Sequence, residues 1–162
     1  MHLFQSRRPG QSLVEVVIAI CVFVVIAGSV LPLLYRSVSV TEEARERMFA
    51  AYAAQEGMEA VRSIVNRSGY GALSNGTYGL SESTGYYTFD SAPEAMSGGI
   101  SRSIVISDAY RDAAGNVYGE TAAGRTIDSN AHFVAVTGQW SPPGSTRVLS
   151  VTLSTFFTAW RP

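Results

Sequence analysis

From Val16 to Leu34 the chain runs 19 residues without a formal charge. As a helix rising ~1.5 Å per residue, this run reaches about 28 Å, close to the ~30 Å hydrocarbon core of a bilayer. Any fold must therefore give this segment to lipid or to other apolar helices. Arg7, Arg8 and the α-amino group precede it, and Arg36 and the acidic cluster Glu42, Glu43 and Glu46 follow. Positive charge before the span favours a cytoplasmic N-terminus, although Arg36 weakens the asymmetry, so the C-terminal part is expected outside the cytoplasm. That part is rich in Ser, Thr, Gly and Tyr, and 162 residues allow about one domain beside the span.

Charge narrows the partners. All 12 cationic residues are Arg, the acids number 13 and the formal net charge is -1, so the basic excess of a nucleic-acid-binding domain is missing and no nucleic acid partner is expected. A single cysteine, Cys21, can form neither an intramolecular disulfide nor a Cys-based zinc cluster. It reads as a small hydrophobe in the apolar helix. The apolar segment itself admits three readings: a secretory signal cut near Val25-Ile26-Ala27, a permanent anchor, or something more specialised. A lipoprotein signal fits poorly, because Ile20 stands where a small residue should precede Cys21.

Glu15 discriminates among these. A carboxylate in an apolar helix costs roughly 2.5–3.5 kcal/mol at the bilayer centre and less near the interface, so it calls for a partner charge or for headgroup solvation. Around it stands Arg7-Arg8-Pro9-Gly10-Gln11-Ser12-Leu13-Val14-Glu15-Val16-Val17-Ile18-Ala19-Ile20. This stretch resembles the processing motif of type IV prepilins and type II secretion pseudopilins, in which a short basic leader ends in Gly and a Glu stands five residues into the mature chain. Gly10 matches the residue before the cut, Gln11 the new N-terminus, and Glu15 the acid. Pro32 matches the family's frequent helix-kinking proline. The match covers about the first 60 residues. Gln11 departs from the family's usual Phe or Met, so the resemblance implies cleavage here more than it implies N-methylation.

The resemblance implies cleavage after Gly10 by a prepilin peptidase, insertion in the cytoplasmic membrane, and assembly with other pilin or pseudopilin subunits. It also implies that Glu15 meets the cationic amine of a neighbouring subunit. Such a pair sets register more than stability, because any other stagger leaves an unpaired charge. Glycine suits a cut site, since it offers backbone without a side chain and leaves helical geometry easily.

Beyond Pro32, Ala44, Met48, Ala51, Tyr52, Gln55, Met58, Val61, Arg62 and Val65 recur at spacings of three and four, predicting a helix with this stripe on a domain. Thr41 with Glu42 and Glu43 could cap a restart after Pro32, or the helix could be continuous. From Gln11 to Arg67 it would span about 85 Å. The acidic cluster reads as a solvated face, or, as the family implies, as a contact with another subunit's basic residues. Gly57 marks a close approach of a strand, and Gly69 a helix stop.

In the C-terminal part, Tyr70 to Gly85 reads as a loop, with Tyr78, Tyr86 and Tyr87 either interface anchors or the edge of the core. Period-two alternation predicts strands at Tyr86–Asp90, Ile100–Ser107, Phe133–Trp140 and Thr146–Phe157. Arg102 interrupts the apolar row of Ile100, Ile104 and Ile106. The turn Ser141-Pro142-Pro143-Gly144-Ser145 makes the last two strands an antiparallel hairpin. The run Val151 to Trp160 is weakly similar to the final strand of a minor-pilin subgroup. The absence of a C-terminal cysteine pair points the same way.

The expected fold is α+β: a leader over 1–10, a long helix over 11–67 that spans the membrane at about 14–34, and an extracytoplasmic domain over 68–162. In that domain the amphipathic half of the helix packs on an antiparallel sheet of about four strands, a pilin-like arrangement. Asp108, Asp112, Asn116 and Glu120 place oxygen ligands around a glycine turn, as calcium prefers, although Asp112 to Asn116 also reads as a plain hairpin turn. His132 reads as a strand-edge side chain. No nucleophile, base and orienting group are picked out, so neither an enzyme nor a cofactor is expected.

The expected function is a structural minor pilin or pseudopilin of a type IV pilus or type II secretion-like filament, periplasmic or extracellular once assembled. The alternatives are an uncleaved membrane-anchored binding domain, a domain secreted after cleavage near Ala27, and a DNA-uptake subunit. Loss of Arg7 and Arg8 takes the net charge from -1 to -3, which disfavours the last.

Overall fold

The computed structural model describes residues 9–91, 93–142 and 145–159, with side chains from Leu13 onward. The chain is α+β and divides into two compact units, one through Glu43 and one from Ala44. A single helix, α1, covers Pro9–Ser68 and includes Pro32 without interruption. Thr41 does not cap a restart: its Oγ1 donates to the Ser37 carbonyl inside the helix. Gly69, at φ 83°, ends α1, and its N–H donates to the Val65 carbonyl at 2.8 Å. Glycine adopts this left-handed conformation without steric cost.

Among the described residues the second unit carries seven strands: β1 (Gly76–Ser83), β2 (Tyr86–Asp90), β3 (Glu94–Ala95), β4 (Ile100–Arg111), β5 (Val117–Tyr118), β6 (Thr126–Trp140) and β7 (Leu149–Thr158). Five form the antiparallel row β2-β1-β4-β6-β7, and β3 and β5 pair with β4 off that path. The expected count of about four was too low. Its largest omission is β1, where Tyr70 to Gly85 was read as loop. That stretch holds one turn of 3-10 helix, Tyr70–Ala72, and then β1. Glycine and serine hide the alternation there. The hairpin signal was Thr84-Gly85, both with positive φ (53° and 78°), the geometry that suits the twist of a two-residue β-turn.

The core lies between α1 and the central strands. Ile104 and Ile106 of β4 and Val134 and Val136 of β6 are fully buried against Ala54, Met58, Val61 and Ile64 of the helix. A second cluster joins Ala50 and Ala53 to Ile100 and Trp140. The buried face of α1 is thus made largely of small residues. Met48 and Tyr52, expected on it, are 48% and 58% exposed. The reason is the closeness of the sheet. A Cβ on Gly138 would strike the carbonyl oxygen of Ala50, and one on Gly57 would lie 2.7 Å from Val136 Cγ1 and 2.9 Å from Arg102 Cδ. Backbone approach this tight, at Ala50 and Gly57, leaves room there for alanine and glycine, while the larger Met58, Val61 and Ile64 pack on the sheet farther along the helix.

Candidate functional site

In the first unit the apolar segment has no internal cover. The side chains from Leu13 to Val25 are all exposed, Phe23 at 70%, and α1 contains a stretch of mean hydropathy 2.9 with none of its residues buried. It is one helix long and apolar enough to cross a membrane. The hydroxyl of Ser29, within this run, is satisfied locally, donating to the Ile26 carbonyl at 2.9 Å, and just beyond the run Ser39 Oγ donates to the Arg36 carbonyl at 3.3 Å. That is the arrangement an apolar solvent demands. Pro32 has no N–H for the carbonyl of Gly28, and glycine at that position leaves nothing within 4 Å of where its Cβ would be.

Glu15 stands exposed on this apolar surface. Gly10 stands in the first turn of α1, whereas the side chain of Gln11, the leader residues Arg7 and Arg8, and Trp160 lie outside the described residues. Pro32 stands inside the helix rather than at a break in it.

The second unit is held to its helix by a charge cluster that alternation along the strand only hinted at. Arg102, on the buried row of β4, is 1% exposed. Its Nη2 and Nε donate to Glu94 Oε2 of β3 at 2.5 and 3.1 Å. Its Nη1 donates to the Ala53 carbonyl of α1 at 3.1 Å and lies 3.3 Å from Glu56 Oε2. Glu56 accepts from the Tyr87 hydroxyl at 2.8 Å, and that bond, with burial, raises the tyrosine pKa. Three elements, α1, β3 and β4, thus meet at one guanidinium, and β2 joins them through Tyr87 and Glu56. The residue that interrupted an apolar row was the visible signal, while its two carboxylates, eight residues before it and far off on the helix, were not.

A shallow open groove lies beside the last turns of α1, lined by Glu59, Arg62, Ser63, Asn66, Arg67 and Tyr86. Arg67 is fixed there, its guanidinium 4.8 Å from the centre of the Tyr86 ring and its Nη2 donating to the Tyr87 carbonyl at 2.8 Å. Arg62 pairs with Glu59 at 2.6 Å, both well exposed. Tyr86 is therefore a surface residue, whereas Tyr78 packs on the core beside Phe89 with ring centres 5.1 Å apart, and Tyr87 also packs there.

The calcium candidates do not converge. Asp112 is consumed by its own turn, accepting from the N–H groups of Ala114 and Asn116, from Asn116 Nδ2 and from the Tyr118 hydroxyl. These bonds, led by Asn116, lower its pKa to about 2. Asp108 instead accepts from Asn75 Nδ2 at 2.7 Å. Among the described residues no group of three or more His, Cys, Asp or Glu is placed to hold a metal ion. Asp128, missed in the sequence, has its pKa lowered mainly by a bond from Arg111, which it pairs with at 2.6 Å.

His132 is half-buried and stacks on Tyr70 at 5.2 Å, opposite Asp108 across the strand pair. The register of β4 and β6 shifts between Asp108 and Ala109. Burial, then Asp128 and Asp108, raise the Tyr70 pKa. No protein-family model, curated protein or solved structure matches the chain.

Proposed function

We propose that this chain is a structural subunit of a type IV pilus-like or type II secretion-like filament, a minor pilin or pseudopilin. In this reading it is inserted once in the cytoplasmic membrane and cut after Gly10 by a prepilin peptidase. It then leaves the membrane for a filament whose core is built from helices like its own. The observation that carries the reading is the apolar helix with no cover from its own unit, bearing the lone carboxylate of Glu15 five residues past Gly10.

The physical logic is one of matched solvents. An apolar helix is stable in lipid and equally stable among other apolar helices, so one sequence serves both states. Glu15 is costly in either unless it meets a cation, and cleavage after Gly10 creates one, the amine of Gln11 on a neighbouring subunit. Any other stagger leaves a carboxylate unpaired in an apolar core, so the pair fixes register. The sheet unit supports a structural role through its packing: its buried charges are occupied with holding helix to strands.

The test is the mass of the N-terminal peptide of protein taken from its native membrane, which also reports methylation or cyclisation of Gln11. A start at Gln11 is expected. A start at Met1 would overturn the reading in favour of a tethered binding domain, and a start at Gly28 in favour of a secreted one.

A further inference from the structure

We infer that the free edge of β7 is a docking site for an extended segment of another protein, with apolar residues at alternate positions, which joins the sheet as one more strand. The choice of another protein over a second copy of this chain rests on the filament reading.

The edge is open and unprotected. β7 pairs with β6 in an unbroken register from Leu149 to Thr158, and among the described residues no strand lies on its other side. The Ala159 N–H donates to the Asn130 carbonyl at 2.8 Å. Antiparallel alternation from that bond turns the main chain of Phe157, Thr155, Leu153, Val151 and Leu149 toward β6, and that of Thr158, Phe156, Ser154, Thr152 and Ser150 outward. Each outward residue offers an N–H and a C=O, the template on which an extended chain is added to a sheet. Edges of this kind are usually blunted by charge, proline or a bulge, yet from Leu149 to Ala159 there is no charged residue, proline or glycine. The opposite edge differs. β2 has five residues and ends in Asp90, and the Tyr87 carbonyl already accepts from Arg67.

Side chains define what fits. On the helix side Leu149, Val151, Leu153 and Phe157 pack on the two core clusters but stay only half-buried. A strand beside them completes their cover with apolar side chains at every second position. On the other face Ser150, Thr152, Ser154 and Thr158 are exposed hydroxyls, so the intervening side chains of the occupant are polar and uncharged.

A second copy does not fit. Antiparallel pairing of β7 with β7 relates two copies by a two-fold axis, whereas copies drawn from one membrane into a filament share one polarity. Head-to-tail pairing would use the blunted edge of β2. The occupant is therefore a different chain.

The test uses the full chain in detergent micelles and a synthetic peptide of five Thr-Val repeats with a lysine at each end. Amide hydrogen exchange at Ser150, Thr152, Ser154, Phe156 and Thr158 is expected to slow at least tenfold on adding the peptide, while Val151, Leu153 and Thr155, already bonded to β6, do not change. Ser154→Pro removes an outward N–H and no bond to β6, so it is expected to keep the fold and weaken peptide binding at least tenfold. Thr152→Lys with Ser154→Lys, a change at exposed positions, is expected to weaken binding as much. Exchange that does not slow at the outward amides overturns the inference, as does equal binding by both variants. In the native membrane, Ser154→Cys in a Cys21→Ser background is expected to stay free of disulfide-linked dimers; a dimer assigns the edge to a second copy and overturns the inference. The N-terminal mass is read separately, so a Gln11 start leaves the filament reading standing whatever the peptide does.

Discussion

Replacing Glu94 by alanine tests whether the buried guanidinium is an asset only while it is paired. Arg102 is 1% exposed and makes two of its contacts to Glu94 Oε2; without them it keeps the Ala53 carbonyl and the half-exposed Glu56 at 3.3 Å. Breaking a buried pair by removing one partner costs about 3–5 kcal/mol, and the surviving Glu56 contact places this case near about 3. At about 4 °C per kcal/mol for a unit of this size, the melting temperature falls by about 12 °C. Arg102→Met behaves differently. It removes the cation, fills the space with a flexible apolar chain, and leaves two carboxylates that already reach water, so the change is about 1 kcal/mol or less. The double variant should match Arg102→Met alone, a coupling of about 3 kcal/mol. Thermal melts of the full chain in detergent micelles, followed by near-ultraviolet circular dichroism, read all three. If Arg102→Met loses as much as Glu94→Ala, or if the two losses simply add, the argument that an unpaired buried charge dominates is wrong.

Other expectations follow from the same contacts. Gly138→Ala drives a methyl against the Ala50 carbonyl and should cost at least about 2 kcal/mol. Gly57→Ala meets movable side chains and regains about 1 kcal/mol of helix propensity, so denaturant midpoints should rank it the milder change; the reverse order contradicts the seam geometry. Asp112, lowered from 3.8 to about 2, contributes stability that is fully present above about pH 5 and is lost as pH falls from about 4 toward 2. Asp128 acts in the same direction, so Asp112→Asn should reduce the acid sensitivity of the melting temperature without abolishing it. Glu15→Ala should leave the Gln11 start intact and reduce filament incorporation at least tenfold; equal incorporation refutes the pairing of Glu15 with an amine.

What the sequence disclosed depended on how strongly burial constrained each position. Val134, Val136 and Trp140 share a buried row, and the alternation that places them there was plain because β6 is central, packed by the helix on one face. The helix seam departs from the stripe of three-and-four spacing at Met48 and Tyr52, because the row that meets the sheet there runs through Ala50, Ala53, Ala54 and Gly57. Gly57 carried that information, while Gly138, which lies against the Ala50 backbone, stood unremarked in a strand. β3 and β5 are two residues each and have no period to detect. The groove was invisible for another reason: Arg62 and Arg67 are on the helix, but Tyr86 joins them only through the β1–β2 hairpin, which had been taken in part for a loop.

The seam at Ala50 and Gly138 also has a mechanical meaning. Where backbone lies on backbone, no side chain interlocks to resist sliding, so axial load on the second-unit helix is borne by the neighbouring Arg102 bond to the Ala53 carbonyl and by the packing of Val61 and Ile64. That load enters the sheet at β4 and β6, which are hydrogen-bonded on both sides, and reaches the edge strands β2 and β7 only afterwards. A pull on the helix is thus spread across the sheet from its middle rather than from an edge strand.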